Sequence, residues 1–206
     1  MTTGALIIFV KTPGFSPIKT RLAAEVGDDT AAQFYLSAIK KTESLAMEAM
    51  KRCPGLIAYW AVAEPAGIGH NIWRNFSNLW QGDGSLGERM SYIYDQAIAR
   101  HDYVCFLGAD SPHLSADVLC EGILKTSWRK NFVLGPALDG GFYFFGGSIP
   151  LPKELWTCVN YSKDSTAREL RESFYPLGEF DLLPENFDID TAQDLKKYNA
   201  LVTKGV

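Results

Sequence analysis

Two groups of residues carry the chemistry. The first is Gly108-Ala109-Asp110-Ser111-Pro112, where the apolar run Tyr103-Val104-Cys105-Phe106-Leu107 ends and delivers a carboxylate just beyond itself. Pro112 stops that strand, because proline cannot donate to a sheet ladder. The second is Lys11-Thr12-Pro13-Gly14-Phe15-Ser16-Pro17-Ile18-Lys19-Thr20-Arg21, which places Lys11, Lys19 and Arg21 within eleven residues of one Gly/Pro loop. Three cations there suit the phosphates of a nucleotide, and Arg21 is able to make bidentate contacts. An acid at one strand end and a cationic loop after another imply a phosphate ligand bridged by a metal. A turn-capping role for Asp110 and a solvated surface loop are the plainer alternatives.

The loop is not a P-loop. That motif needs glycine immediately before its lysine so that backbone N–H groups wrap phosphate, and Ile18 stands there. Gly82-Asp83-Gly84-Ser85-Leu86-Gly87 matches G-x-G-x-x-G and opens a helix, but Ser77–Gln81 before it is a poor buried strand. A dinucleotide fold is therefore disfavoured. The glycines Gly82 and Gly87 still let backbone approach a ligand, with Arg89 one turn into the helix.

Asp139 lies in Asp139-Gly140-Gly141 between two strands, where Asp-Gly is also a strong hairpin-turn signal. Gly140 and Gly141 clear space around the carboxylate for a substrate. Asp188-Ile189-Asp190-Thr191 precedes the last helix, so Asp190 or Thr191 is a natural cap. A carboxylate from this segment meeting Asp110 would complete an oxygen site for Mg²⁺ or Mn²⁺, ions that also favour substrate phosphates. His70, His101 and His113 share no metal-ligand spacing, and no G-x-S-x-G elbow is present.

These residues need a scaffold. Ala5–Val10 is a continuous apolar run, the sign of a strand buried on both faces. Thr30-Ala31-Ala32-Gln33 forms a capping box that opens a helix to about Arg52. Leu56–Ala63 reads as a second strand, and Glu64–Gln81 is irregular and aromatic. Ser85-Leu86-Gly87-Glu88 is another capping box, followed by a stripe of Leu86, Met90, Ile93, Tyr94, Ala97 and Ile98. After Tyr103–Leu107 comes a helix from about Ser115, then strands at Phe132–Leu134 and Phe142–Phe145. Seven residues between these last two are too few for a helical crossover, so an antiparallel turn or change of sheet is expected. A short helix begins at Thr166 and the last helix at Thr191. The alternation implies a three-layer αβα sandwich on a mostly parallel mixed sheet.

At 206 residues, 47% hydrophobic and 21% charged, the chain has the composition of one globular domain, and no linker or repeat divides residues 1–206. A net charge of -4 gives no electrostatic case for nucleic acid. No apolar stretch approaches the roughly 20 residues of a membrane span. The start reads into a strand without a signal-peptide pattern. Cys53, Cys105, Cys120 and Cys158 form no C-x-x-C pair. Buried thiols in a reducing cytoplasm are the expectation.

Several segments together resemble a known family. Phe9-Val10-Lys11-Thr12-Pro13-Gly14, Lys19-Thr20-Arg21-Leu22, Gly82-Asp83, Leu86-Gly87-Glu88-Arg89-Met90, Gly108–Pro112, Gly135-Pro136-Ala137, Asp139-Gly140-Gly141 and Asp188–Thr191 occur in that order. Over about residues 5 to 195 the chain resembles a largely uncharacterised microbial glycosyltransferase family of the nucleotide-diphospho-sugar transferase superfamily. The resemblance implies a GT-A-like, Rossmann-like fold with a nucleotide site at the strand ends, a nucleotide-sugar donor and a small-molecule acceptor. It also implies that Lys11, Lys19 and Arg21 hold phosphates and that Gly82, Gly87 and Arg89 line the nucleotide pocket. Asp110 takes the role of the metal-binding aspartate, with Asp188 or Asp190 as a second ligand, and Asp139-Gly140-Gly141 faces the sugar or acceptor. Superfamily relatives that are nucleotidyltransferases join an NTP to a phosphorylated molecule and release pyrophosphate. A non-catalytic nucleotide-binding or interaction module is the third reading. The chain departs from its resemblance in having Asn160-Tyr161-Ser162 where similar sequences show Trp-Ser-Thr, and Pro112 where many glycosyltransferases complete Asp-x-Asp.

Overall fold

The computed structural model describes residues 2–128 and 131–203. In chain order its elements are β1 (Gly4–Val10), α1 (Thr20–Val26), α2 (Asp28–Arg52), β2 (Leu56–Val62), β3 (Ser77–Trp80), α3 (Leu86–Ile98) and β4 (Tyr103–Gly108). There follow α4 (Ala116–Trp128), β5 (Phe132–Pro136), β6 (Phe142–Gly147), α5 (Lys153–Thr157), α6 (Thr166–Phe174), β7 (Phe180–Leu182) and α7 (Ala192–Thr203). The strands form one sheet in the order β3-β2-β1-β4-β6-β5-β7. Strand β6 alone runs against its neighbours, antiparallel to both β4 and β5. The short link between β5 and β6 thus makes the antiparallel turn its length requires.

The central strands are covered on both faces, and their pleat divides them between two cores. Leu6, Ile8 and Leu107 face α2 and α4 with Ile39, Trp60, Trp73, Leu119 and Ile123. Ala5, Ile7, Val104 and Phe106 face the other way, onto Ile93, Tyr94, Phe145, Trp156 and Phe174. That two-residue alternation is the period of a strand, and burial on both sides is why the runs are continuously apolar. A third cluster joins α1, α2 and α7 through Leu22, Phe34, Ile189 and Tyr198.

This arrangement positions the site. Strands β2 and β3 extend the sheet to one side of β1, and the chain then crosses to β4 on the other side. Phe9 pairs with Gly108 in register, so the loops after β1 and β4 leave the sheet side by side. Ligands of open α/β sheets bind at such a switch point.

The differences from the sequence expectation have local causes. Gly27, at φ 88, ends α1 by donating to Ala23 and serves as the residue before α2. Helix α2 therefore begins at Asp28, with Asp28 and Asp29 favouring its N-terminal dipole, and Thr30–Gln33 lies within its first two turns. Ser77–Trp80 is a strand after all; it reads poorly because it is an edge strand, only partly buried. Helices α1 and α5 and strand β7 are too short to show a period. The Ser85–Glu88 capping box forms with both of its arms. Among the described residues no helix is long and apolar enough to cross a membrane.

Candidate functional site

A cleft opens over the ends of β1 and β4 in two compartments. The first, of about 470 Å³, is walled by Lys11, Pro17–Arg21, Tyr35, Gln81, Asp110 and Asp190. The second, of about 270 Å³, is walled by Phe106–Gly108, Asp139, Gly141–Tyr143, Tyr161–Lys163, Thr166 and Asp188. Phe9, Leu86 and Asp110 belong to both walls. Asp110 thus stands where the compartments meet.

The β1 loop is fixed from beneath. Tyr35, on the buried face of α2, accepts from the Lys11 backbone N–H at 2.9 Å and donates to the Lys11 carbonyl at 2.8 Å. Burial pushes the Tyr35 hydroxyl pKa far up, so it stays protonated. Thr12 donates its N–H to Glu64 at 2.8 Å, and its hydroxyl accepts from Trp73. Gln81 donates its side-chain amide to the carbonyls of Val10 and Ala61, tying the ends of β1 and β2.

The three loop cations part company. Lys11 and Arg21 are exposed on the first compartment, and Arg21 lies 3.9 Å from Asp190. The Lys19 side chain is buried, with Nζ 2.6 Å from Asp110 and 2.9 Å from Asp190. Burial opposes its charge, but the two carboxylates outweigh that and hold its pKa above the usual value. Asp190 is therefore an ion-pair partner of Lys19.

Asp188 lies apart from that pair. Its Oδ1 accepts from the Ser111 hydroxyl at 2.6 Å, and Ile189 donates its N–H to the Asp110 carbonyl at 3.2 Å. The segment before α7 is thus laid along the end of β4. Burial, followed by the charge of Asp110, pushes the Asp188 carboxyl up to about 6 against the Ser111 hydrogen bond. Thr191 and Asp194 cap α7 reciprocally, leaving Asp190 free for Lys19.

Asp139 occupies the turn between β5 and β6, its Oδ1 accepting from the Gly141 N–H at 2.9 Å, and it lines the second compartment with Gly141. Gly140 is required by shape. Its φ is +86, and an added Cβ would lie 2.0 Å from the Asp164 carbonyl oxygen. Its own carbonyl accepts from Ala167, so the Asp139 turn is clamped to the start of α6.

The remaining expected residues sit away from both walls. Gly82 packs against Tyr92, and Gly87 lets α3 approach α5, since a Cβ there would lie 2.5 Å from the Trp156 carbonyl oxygen. Arg89 donates to the Gly84 carbonyl at 3.0 Å. From this helix start it is Leu86 that reaches the cleft. Sequence reasoning missed Tyr35, Gln81 and Ser111. Tyr35 had a signal, a hydroxyl on the apolar stripe of α2, where a buried phenol must find partners.

The donor chemistry tests the expected metal. Among the described residues no three His, Cys, Asp or Glu side chains are grouped to hold an ion by themselves. Asp110 and Asp188 nevertheless offer hard oxygen donors in the second compartment. Mg²⁺ commonly takes one or two carboxylates and completes its shell with water and substrate phosphates. Asp110 and Asp188 are thus two carboxylates of this compartment that could hold such an ion.

This sheet order and two-part cleft define an α/β protein of the GT-A-like, nucleotide-diphospho-sugar transferase fold. The chain belongs to the family described as an uncharacterized protein conserved in bacteria (DUF2064), whose model matches residues 44–163. A protein of Desulfovibrio desulfuricans G20, provisionally assigned as a nucleotide-diphospho-sugar transferase, is similar in structure at TM-score 0.84 and 22% identity, covering 96% of this chain and 87% of its own. The 4-diphosphocytidyl-2C-methyl-D-erythritol synthase of Anaerococcus prevotii DSM 20548 is similar at TM-score 0.62 and 11% identity, covering 98% and 96%. Rv0371c of Mycobacterium tuberculosis H37Rv, in a manganese complex, is similar at TM-score 0.51 and 12% identity, covering 95% and 97%. At these identities the likeness is one of fold. No curated protein matches the sequence.

Proposed function

We propose that the protein is a transferase that uses a nucleotide-diphospho-sugar donor and passes the sugar to a hydroxyl of a small-molecule acceptor. The observation that carries this reading is the place of Asp110 on the wall shared by the cationic first compartment and the aromatic second one. A donor lying across that boundary has its diphosphate beside Lys11 and Arg21 and its sugar beside Asp139. Lys11 and Arg21 place fixed positive charge where the leaving nucleotide gains negative charge. Asp139 takes the proton of the attacking hydroxyl as general base. Asp110 and Asp188 would hold a divalent ion, Mg²⁺ or Mn²⁺, which supplies Lewis-acid stabilisation of the diphosphate when bound. The manganese complex of the Mycobacterium tuberculosis neighbour lends support to that assignment.

The likeness to a diphosphocytidyl synthase favours a second reading, in which the same cations serve an NTP and a phosphorylated acceptor attacks its α-phosphorus. The products separate the two. Purified protein is screened by thermal shift against UDP-, GDP-, CDP- and TDP-sugars and NTPs with Mn²⁺, Mg²⁺ or EDTA, and the stabilising ligand is then followed with candidate acceptors. A ligand at 100 times its Kd adds about 2.7 kcal/mol, roughly 5–10 °C for a chain of this size. Release of a nucleoside phosphate supports sugar transfer; pyrophosphate supports nucleotidyl transfer. A folded protein that responds to no nucleotide overturns both in favour of a non-catalytic module.

A further inference from the structure

Lys11, Lys19 and Arg21 all line the first compartment, but of the three only Lys19 is not exposed. Its side chain is 4% exposed, whereas that of Arg21 is 68% exposed. Among the described residues the Lys11 ammonium makes one long hydrogen bond, 3.5 Å, to the Pro17 carbonyl. Lys19 instead bridges Asp110 and Asp190 from a left-handed backbone, φ 44 and ψ 44, that non-glycine residues rarely adopt. Ile18 packs on the first core cluster and Leu22 lies in the third, so the left-handed residue is held from both sides. The fold accepts a left-handed residue to put an ammonium against one oxygen of the Asp110 carboxylate.

We infer that Lys19 is a tethered cation that competes with a divalent ion for Asp110: it neutralises the carboxylate while the ion is away and swings out when the ion binds. The metal half of this inference rests on the site assigned under the proposed function; the competition itself involves no nucleotide. Lys19 holds Asp110 Oδ1, so an ion on this carboxylate would sit beside the ammonium, and the repulsion between two such close cations favours displacing Lys19. Asp190, on the far side of Lys19 and beside Arg21, gives the displaced ammonium a second anchor near the first compartment. An ion alone is then held weakly.

The test measures Mn²⁺ binding to the full chain, by electron paramagnetic resonance of free Mn²⁺, for wild type, Lys19→Met and Lys19→Gln. Removing the competing charge should tighten Mn²⁺ binding by about tenfold or more in both variants. Adding Asp110→Asn to Lys19→Met should abolish the gain. Unchanged or weaker binding in the single variants overturns the inference, since Lys19 would then merely organise the carboxylates. A second measurement uses the unaltered protein, so it stands even where a variant does not fold. Acylation of Lys19 by an amine reagent, followed by mass spectrometry, should rise severalfold on adding Mn²⁺ while Lys11 labelling stays level. Lys19 labelling that Mn²⁺ does not raise overturns the inference. Nucleotide binding is scored separately: its failure beside a positive Mn²⁺ result removes the proposed transferase and leaves the competition standing.

Discussion

The hydroxyl of Ser111 donates to Asp188 Oδ1 across 2.6 Å, joining residues 77 positions apart. One short bond thereby links the loop after β4 to the segment before α7 and brings a second carboxylate to the side of Asp110. Burial, and then the charge of Asp110, push the Asp188 carboxyl up to about 6.

That shift makes stability depend on pH. The folded-state pKa of Asp188 lies above its ordinary value of 3.8, so the folded chain binds this proton more tightly than the unfolded one. The resulting stabilisation is complete below about pH 4 and is lost as pH rises through about 6. Its size is on the order of 2–3 kcal/mol. Asp188→Asn keeps an oxygen to accept from Ser111 and carries no charge. In chelator at pH 7.5 it should melt roughly 5–10 °C above wild type, with the advantage gone by pH 4. Equal destabilisation at both pH values would show that ionised Asp188 is well accommodated.

Gly140 predicts a different failure. Alanine there combines a left-handed backbone with a Cβ 2.0 Å from the Asp164 carbonyl oxygen. Left-handed strain alone costs about 1–2 kcal/mol, and the clash must be relieved by moving the Asp139 turn off α6. Gly140→Ala should lower stability by roughly 2–4 kcal/mol in urea titration. Gly141, with no such backbone collision, should tolerate alanine with a loss under about 1 kcal/mol. Equal losses at the two positions would contradict this.

Tyr35→Phe removes both partners of the Lys11 backbone and leaves a half-buried N–H and C=O unsatisfied. The cost should be about 1–3 kcal/mol. Because the same bonds set where β1 ends, nucleotide affinity should fall severalfold along with stability. Lost stability with unchanged nucleotide affinity would detach Tyr35 from the site.

How much of this was legible depends on the range over which each feature is set. Ile7 and Phe106 are buried because their strands are covered on both faces, and a continuous apolar run announces that locally. The Ser85–Glu88 capping box is equally local. Asp110 was placed correctly at a strand end by Pro112 and the preceding run. Lys19 was readable as a cation but not as a buried one, because its partner Asp190 lies 171 residues away and arrives only when α7 packs on α1 and α2. Gly87 matched a nucleotide motif, yet its absent side chain serves the contact of α3 with α5, a tertiary demand that the motif cannot express.

Asp139 offers the sharpest division between chemistry and architecture. Its Oδ1 accepts from the Gly141 N–H, a bond that the carbonyl oxygen of asparagine also makes. Asp139→Asn should therefore keep the turn, the melting temperature and nucleotide affinity, the last within about twofold, while removing the base. In the transfer assay turnover should fall by roughly 10²–10⁴-fold. Loss of nucleotide affinity instead would move Asp139 to the donor side of the cleft, and undiminished turnover would remove it from the chemistry. Gly140→Ala is the companion measurement, since it displaces the same carboxylate without neutralising it. If Asp139 is the base, both variants lose turnover, but only the glycine variant loses stability with it.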